Sequence, residues 1–121
     1  MTEQAKKYLS DILAAIELIE NFSKDTPTFQ LYQTDLKTKS AIERQMEILG
    51  EAVNKYSKEA PEFPLSNVSQ IVSFRNRLVH DYDNIDDTIV WAVLKKHLPV
   101  LKQGTSEYLE KKSSIQIWAG V

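Results

Sequence analysis

The sequence contains no cysteine, which excludes disulfide bonds, thiolate nucleophiles and cysteine-ligated zinc or iron–sulfur sites. No apolar run approaches the roughly 18 residues that a membrane-spanning helix requires, and the first residues lack the apolar stretch of a secretory signal. We therefore expect a cytoplasmic protein that does not enter a membrane. Fifteen basic and seventeen acidic residues give a net charge of −2. Any nucleic-acid binding must therefore come from a local positive patch.

Glycine and proline are also scarce, with three and four residues respectively in a chain of 121. Few helix breakers, together with apolar residues at steps of three and four, predict an all-α protein. The length points to one domain over residues 1–121, and short loops favour an antiparallel bundle of four to five helices. The tail, residues 113–121, is apolar but aperiodic, which leaves open whether it docks on the bundle.

The apolar spacing also predicts where the first three helices run. The first is expected over Thr2–Phe22 and the second, the longest, over Gln33–Lys58. A third helix is expected to begin near Val68, with Ser66 or Asn67 as its N-cap.

A fourth helix is predicted in the last third of the chain, with Asp86 or Asp87 as its N-cap. Pro99 lies inside its apolar pattern, so a kink or an early end is expected there. Gly104 is predicted to stop the helix, and residues 107–112 to form a short fifth one.

The third predicted helix carries the residues with chemical potential. At about 100° per residue, Arg75 falls in the middle of the helix's apolar arc. A guanidinium there must pair with a carboxylate, or face a cavity or a subunit interface. Asn76 and His80 lie one turn apart on a neighbouring face, and Tyr82 would project close to Arg75 if the helix continued that far.

Arginine and histidine together suit the cleavage of a phosphodiester. Histidine, with an ordinary pKa of about 6.5, exchanges protons near neutral pH, and arginine holds a phosphate and stabilises transition-state charge. One chain supplies one Arg75 and one His80, whereas a two-fold dimer supplies two of each. RNA brings its own nucleophile, the 2′-hydroxyl, so that no metal or cofactor is required.

A purely structural interpretation of the same residues stays open. Arg75 would then form an internal ion pair with Glu43, Glu47 or Glu51 of the second predicted helix. His80 would interact with the C-terminal helix dipole. The acidic stretch Asp81–Asp87 lacks the glycine and the final glutamate of a calcium loop, so that no metal site is predicted there.

Three segments of the chain resemble a known protein family. The order Arg75-Asn76-x-Leu78-Val79-His80-x-Tyr82, an R-x4-H-x-Y pattern, resembles the signature of HEPN domains of the HepT-like toxin family. Residues 41–52, which include Gly50-Glu51-Ala52, resemble the family's second-helix segment, and residues 85–99 resemble its fourth helix. The resemblance covers roughly residues 8–101. One departure is Pro64-Leu65, where members often carry a Pro-Trp pair.

The resemblance implies a homodimeric HEPN bundle and a metal-independent endoribonuclease whose composite site lies at the dimer interface. Arg75 would orient and stabilise the phosphate, His80 would be the acid and base, and Asn76 would be the accessory polar residue. Apart from the resemblance, Glu43, Glu47 and Glu51 are candidates to support the site or to form ion pairs with it. No cofactor is implied, and RNA is the implied substrate.

The resemblance also implies a partner. This partner is a small nucleotidyltransferase of the MNT type, the antitoxin of a toxin–antitoxin pair. It transfers AMP from ATP to Tyr82 and so silences the nuclease. Added phosphate and adenine beside the cleft would repel and block RNA. The alternative is a catalytically inactive helical bundle that serves as the substrate-binding partner of a nucleotidyltransferase.

Overall fold

The structure, a computed structural model, describes the backbone of residues 1–119 and the side chains of residues 1–110. Every regular element in this part of the chain is helical, which confirms the predicted all-α class. The tail residues 113–119 continue the last helix, whereas residues 120 and 121 lie outside the described residues. The α-helices are α1 (Glu3–Ser23), α2 (Phe29–Thr34), α3 (Leu36–Glu59), α4 (Val68–His80), α5 (Asp87–Ala92) and α6 (Leu98–Ala119).

Polar contacts between helix ends fix the directions of the long helices. The Thr2 hydroxyl before α1 donates to the Glu59 carboxylate at the end of α3, at 2.9 Å. Lys102 near the start of α6 pairs with Glu20 near the end of α1, at 2.8 Å. Helix α1 therefore runs antiparallel to both α3 and α6. Among the described residues, no helix is long and apolar enough to cross a membrane.

The core lies where the apolar faces of α1, α3, α4 and the α5–α6 region meet. Leu9, Ile12 and Ile19 on α1 are fully buried, as the spacing of apolar residues predicts. Tyr56 on α3 is also buried, and its hydroxyl donates to the carbonyl of Phe63 at 2.8 Å. This bond ties the connection between α3 and α4 to the core, because a buried hydroxyl needs a partner.

The predicted second helix is wrong at its beginning, because Asp35 divides it into α2 and α3. Asp35 leaves the helical conformation, with φ −98° and ψ 88°. Its carboxylate accepts from the backbone N–H of Thr38 at 3.1 Å and from the Thr38 hydroxyl at 2.8 Å. These two bonds hold the pKa of Asp35 below its usual range. A local side-chain cap therefore competes successfully with helix continuation.

The predictions at the start of α4 and α5 have different outcomes. Neither Ser66 nor Asn67 caps α4 with its side chain; Asn67 occupies the N-cap position in a left-handed conformation with φ 65°. Asparagine tolerates this conformation better than most residues. The predicted cap of the next helix is confirmed, because the Asp86 carboxylate accepts from the backbone N–H of Thr88 at 2.9 Å.

The predicted stop at Gly104 and the separate helix over residues 107–112 are both wrong, since α6 runs through them. Pro99 does not end the helix either. A widened π-helical turn, Val93–His97, precedes it, and the N–H of Leu98 donates to the carbonyl of Val93. Such a turn provides the room that a proline ring takes up inside a helix. At Gly104, packing against neighbouring helices outweighs the weak helix propensity of glycine.

Candidate active site

The position of Arg75 depends on Gly50, where α4 approaches α3 closely. A Cβ atom added at Gly50 would collide with the Cβ of Arg75 and would lie 2.6 Å from its Cγ. Glycine is therefore the residue that lets the stem of Arg75 lie directly on the backbone of α3. This contact places the base of the Arg75 side chain on α3, and the guanidinium extends from there over the surface of that helix.

The guanidinium of Arg75 is held by two neighbours at that surface. Its Nη2 lies 3.0 Å from Oε2 of Glu51, one residue after Gly50 on α3. Its Nη1 donates to Oδ1 of Asn76 at 3.0 Å. The Nε is buried and has no hydrogen-bond partner among the described residues. Because 27% of the side chain is exposed, Arg75 still presents charge to solvent.

Arg75 borders an open groove of about 480 Å³ on the face formed by α1, α3 and α4. We call it the Arg75 groove. Basic and acidic side chains both line it, and its three acids each pair with a base on the same helix: Asp11 with Lys7, Glu47 with Arg44, and Glu51 with Lys55. The residues that line it are Lys7, Tyr8, Asp11, Ala14, Ala15, Leu18, Arg44, Gln45, Glu47, Ile48, Glu51, Ala52, Lys55, Arg75 and Val79.

Three large apolar side chains on the Arg75 groove remain in contact with water. Leu18 on α1 is 42% exposed, Ile48 on α3 is 39% exposed and Val79 on α4 is 43% exposed. Scattered exposed apolar residues are common on protein surfaces, but residues grouped around a functional groove often mark an interaction site. This face combines a partly buried cation with an apolar rim.

His80 is exposed at the last residue of α4, and the Arg75 groove does not include it. Within the described residues His80 forms no hydrogen bond or ion pair with Arg75. Asn76 is also exposed, and its one described hydrogen bond is the one from Arg75. A single chain therefore displays the arginine and the histidine on the same helix without joining them in one contact.

Tyr82 lies in a separate place, because α4 ends at His80 and a short 3-10 helix, Tyr82–Asn84, follows. It therefore does not project toward Arg75, as a continued helix would have required. Tyr82 borders a second cavity of about 270 Å³, together with Glu43 of α3 and Asp87 of α5. We call it the Tyr82 cavity. Its lining shares no residue with the Arg75 groove.

The three glutamates of α3 that the sequence singles out have different surroundings. Glu51 pairs with Arg75, and Glu47 pairs with Arg44 at 3.2 Å. Glu43 is buried beside the Tyr82 cavity, and this burial raises its pKa above the usual carboxyl range. In the part of the chain that the structure describes, no three His, Asp or Glu side chains gather closely enough to hold a metal ion.

Comparison with known proteins agrees with this arrangement. The chain matches the family model described as "Ribonuclease HepT-like" over residues 12–108. It is 36% identical over 115 residues to "Probable ribonuclease HepT" of Thermococcus cleftensis, covering 92% of this chain and 100% of that protein. It is 32% identical over 99 residues to a "Putative RNase" of Methanocaldococcus jannaschii, covering 81% of this chain and 84% of that protein. No solved structure matches the chain at a significant level.

An all-α bundle that carries Arg75 and His80 on α4, with Tyr82 in the short helix that follows, is the arrangement of a ribonuclease of the HEPN class. The chain belongs to the HepT-like ribonuclease family, as the match over residues 12–108 shows. The matched region contains Arg75 and every residue that lines the Tyr82 cavity, whereas Lys7, Tyr8 and Asp11 of the Arg75 groove precede it.

The contact between Gly50 and Arg75 makes a direct prediction about stability. Gly50→Ala is expected to lower the free energy of unfolding by about 1–2 kcal/mol, because the overpacking exceeds the gain in helix propensity. Gly104→Ala is the matched control, since an added Cβ there meets Leu65 at an ordinary 3.4 Å. We expect it to be neutral or to stabilise by up to about 1 kcal/mol. Urea unfolding measures both, and equal effects would contradict the close approach.

Proposed function

We propose that this protein is a metal-independent endoribonuclease, the toxin of a toxin–antitoxin pair, that cleaves RNA at a composite site between two copies of the chain. The observation that carries the proposal is the position of Arg75. Its guanidinium is anchored on α3 but remains 27% exposed at an open groove. His80 is exposed at the end of the same helix. A partly buried, oriented arginine is suited to hold a phosphate.

The proposed reaction uses the RNA's own 2′-hydroxyl as the nucleophile. The bond from the 2′-oxygen to phosphorus forms, and the bond from phosphorus to the 5′-oxygen breaks. The His80 of one copy takes the 2′-proton and the His80 of the other gives a proton to the departing 5′-oxygen. Arg75 stabilises the charge that develops on the phosphate oxygens. Asn76 holds the guanidinium through its Oδ1.

A second copy of the chain completes this site in the proposal. The Arg75 groove exposes Leu18, Ile48 and Val79 to water, and an isologous two-fold contact would bury these side chains against each other. It would also bring together two arginines and two histidines from helices that separately carry one of each. Three features therefore support the face of the Arg75 groove as the dimer interface. They are the apolar rim, the incomplete pairing of Arg75 and the position of α4.

Regulation by an MNT-type nucleotidyltransferase forms the second half of the proposal. Tyr82 is 57% exposed and follows His80 by two residues, so that a partner enzyme can reach it. Transfer of AMP to its hydroxyl would add a negative phosphate and a purine beside the histidine. Both would oppose RNA binding, the phosphate by charge and the purine by volume.

One observation favours a different role. Glu51 and Asn76 already occupy the guanidinium of Arg75, and a phosphate would have to compete with the carboxylate. If this pairing persists in the dimer, the protein would act as a catalytically inactive binding partner of a nucleotidyltransferase. The cleavage experiment below distinguishes the two roles.

RNA cleavage in EDTA by the purified, partner-free protein tests the proposed activity. We expect His80→Ala to lower the cleavage rate by at least about 100-fold, as the loss of a general acid and base does. His97→Ala is the matched control, because His97 is the only other histidine of the chain and lies in the π-helical turn Val93–His97 rather than on α4. It should keep the wild-type rate.

Two results would contradict the proposal. Equal cleavage by the wild type and His80→Ala would exclude His80 from the chemistry. The absence of cleavage by a folded wild-type dimer, with Tyr82 unmodified by intact mass, would favour the inactive binding partner instead.

The proposed dimer face makes a separate prediction. Val79→Asp places a charge in the apolar rim and is expected to convert the protein to monomers and to abolish cleavage. Leu31→Asp is the control, because Leu31 is similarly exposed, at 49%, but lies on α2 outside the groove. Light scattering coupled to size exclusion measures the mass. A Val79→Asp protein that remains dimeric would place the interface elsewhere.

A further inference from the structure

The Tyr82 cavity contains a pair of groups that the proposed RNA chemistry does not use. Glu43 of α3 is only 6% exposed, whereas Tyr82 is 57% exposed. Both line the same cavity of about 270 Å³, where the short helix after α4 faces α3. The cavity therefore joins a buried carboxyl group to a tyrosine that is open to solvent.

The burial of Glu43 is costly, because a carboxylate loses hydration inside a protein. Lys39, which lines the same cavity, pairs instead with Asp87 at 2.8 Å. Among the described residues, Glu43 takes part in no ion pair within the distance of a salt bridge. A buried acid that neither pairs nor caps a helix is a candidate for a chemical role.

Several groups around Glu43 influence its pKa. Burial raises this pKa most, Lys39 lowers it, Asp87 raises it, the Tyr82 hydroxyl lowers it and Glu47 raises it. Tyr32 on α2 belongs to the same environment: its buried hydroxyl has no partner among the described residues. Burial raises the pKa of Tyr32 well above its usual value, and Glu43 and Asp87 raise it further.

Tyr82 and Glu43 line the same cavity. A tyrosine hydroxyl can donate to an ionised carboxyl group, because a carboxylate only accepts. Within this cavity Glu43 is therefore a group able to take the phenolic proton. The oxygen itself belongs to an exposed side chain that a large partner can approach.

We propose that Glu43 is the proton acceptor that activates the Tyr82 hydroxyl for attack on an electrophilic phosphorus or acyl carbon. The inference rests on the proposed function in one respect, namely that the group transferred in the cell is a nucleotidyl group. The bond from the Tyr82 oxygen to the α-phosphorus of a nucleoside triphosphate forms, and the bond from that phosphorus to pyrophosphate breaks. Pyrophosphate keeps the electron pair, and the phenolic proton moves to the Glu43 carboxylate. The toxin would thus contribute the base for its own modification.

N-acetylimidazole tests this without any partner protein, because it acetylates accessible tyrosine hydroxyls. The full chain is treated between pH 5 and 9, and the tryptic peptide of residues 78–95, in which Tyr82 is the only tyrosine, is quantified by mass. Removal by hydroxylamine identifies the acetyl group on tyrosine. We expect Glu43→Gln to slow acetylation of Tyr82 at least tenfold. Glu59→Gln, at the far end of α3, is the matched control and should not change the rate.

The pH dependence gives a readout that a packing role would not move. The wild-type rate should rise with pH as Glu43 loses its proton, at a pH above the usual carboxyl range. This step should be absent in Glu43→Gln. If Glu43→Gln does not fold, the pH profile of the wild type is compared with that of Glu43→Asp. The shorter side chain of this variant keeps a carboxylate but draws it back. Equal rates in the wild type and Glu43→Gln, or a wild-type profile without the step, would overturn the proposal.

RNA cleavage by the same unmodified preparations separates this inference from the proposed function. Glu43-dependent acetylation without RNA cleavage would leave the Tyr82 base in place and reject the nuclease. Cleavage with acetylation that does not depend on Glu43 would support the nuclease and reject the base.

Discussion

The close approach of α4 to α3 at Gly50 is the constraint on which the rest of the site depends. A side chain at this position would displace α4, since the stem of Arg75 already fills the space. The same approach brings the guanidinium within 3.0 Å of Glu51, the next residue of α3. The absence of a side chain at Gly50 therefore allows the backbone contact, the ion pair and the direction of Arg75.

Ion pairing of Arg75 has more bearing on function than on stability. A partly buried ion pair contributes little net stability, because desolvation offsets much of the attraction between the charges. Its effect is to hold the guanidinium in one orientation at the edge of the Arg75 groove, where the exposed rim includes Ile48 and Val79. A fixed charge beside exposed apolar side chains is suited to a site that closes against a second copy of the same face.

The sequence predicted the parts of the molecule that follow from local patterns. The apolar periodicity located α1 and placed Arg75 on the face of α4 toward α3. The division at Asp35 and the passage of α6 through Gly104 were missed, because a side-chain cap and tertiary packing outweigh helix propensity there. Contacts between residues far apart in the sequence could not be predicted from local patterns either. A glycine within a long helix was the available signal for Gly50, but its partner follows only from the packing of α4.

In the proposed function, Arg75 and His80 act together only when two copies of the chain meet. The most direct measurement is the RNA cleavage rate per chain over a dilution series, with the dimer fraction determined in the same buffer by mass photometry or sedimentation. We expect a rate that falls in proportion to the dimer fraction as the protein dissociates. An unchanged rate per chain in a population of monomers would contradict it, because one chain would then contain a complete active site.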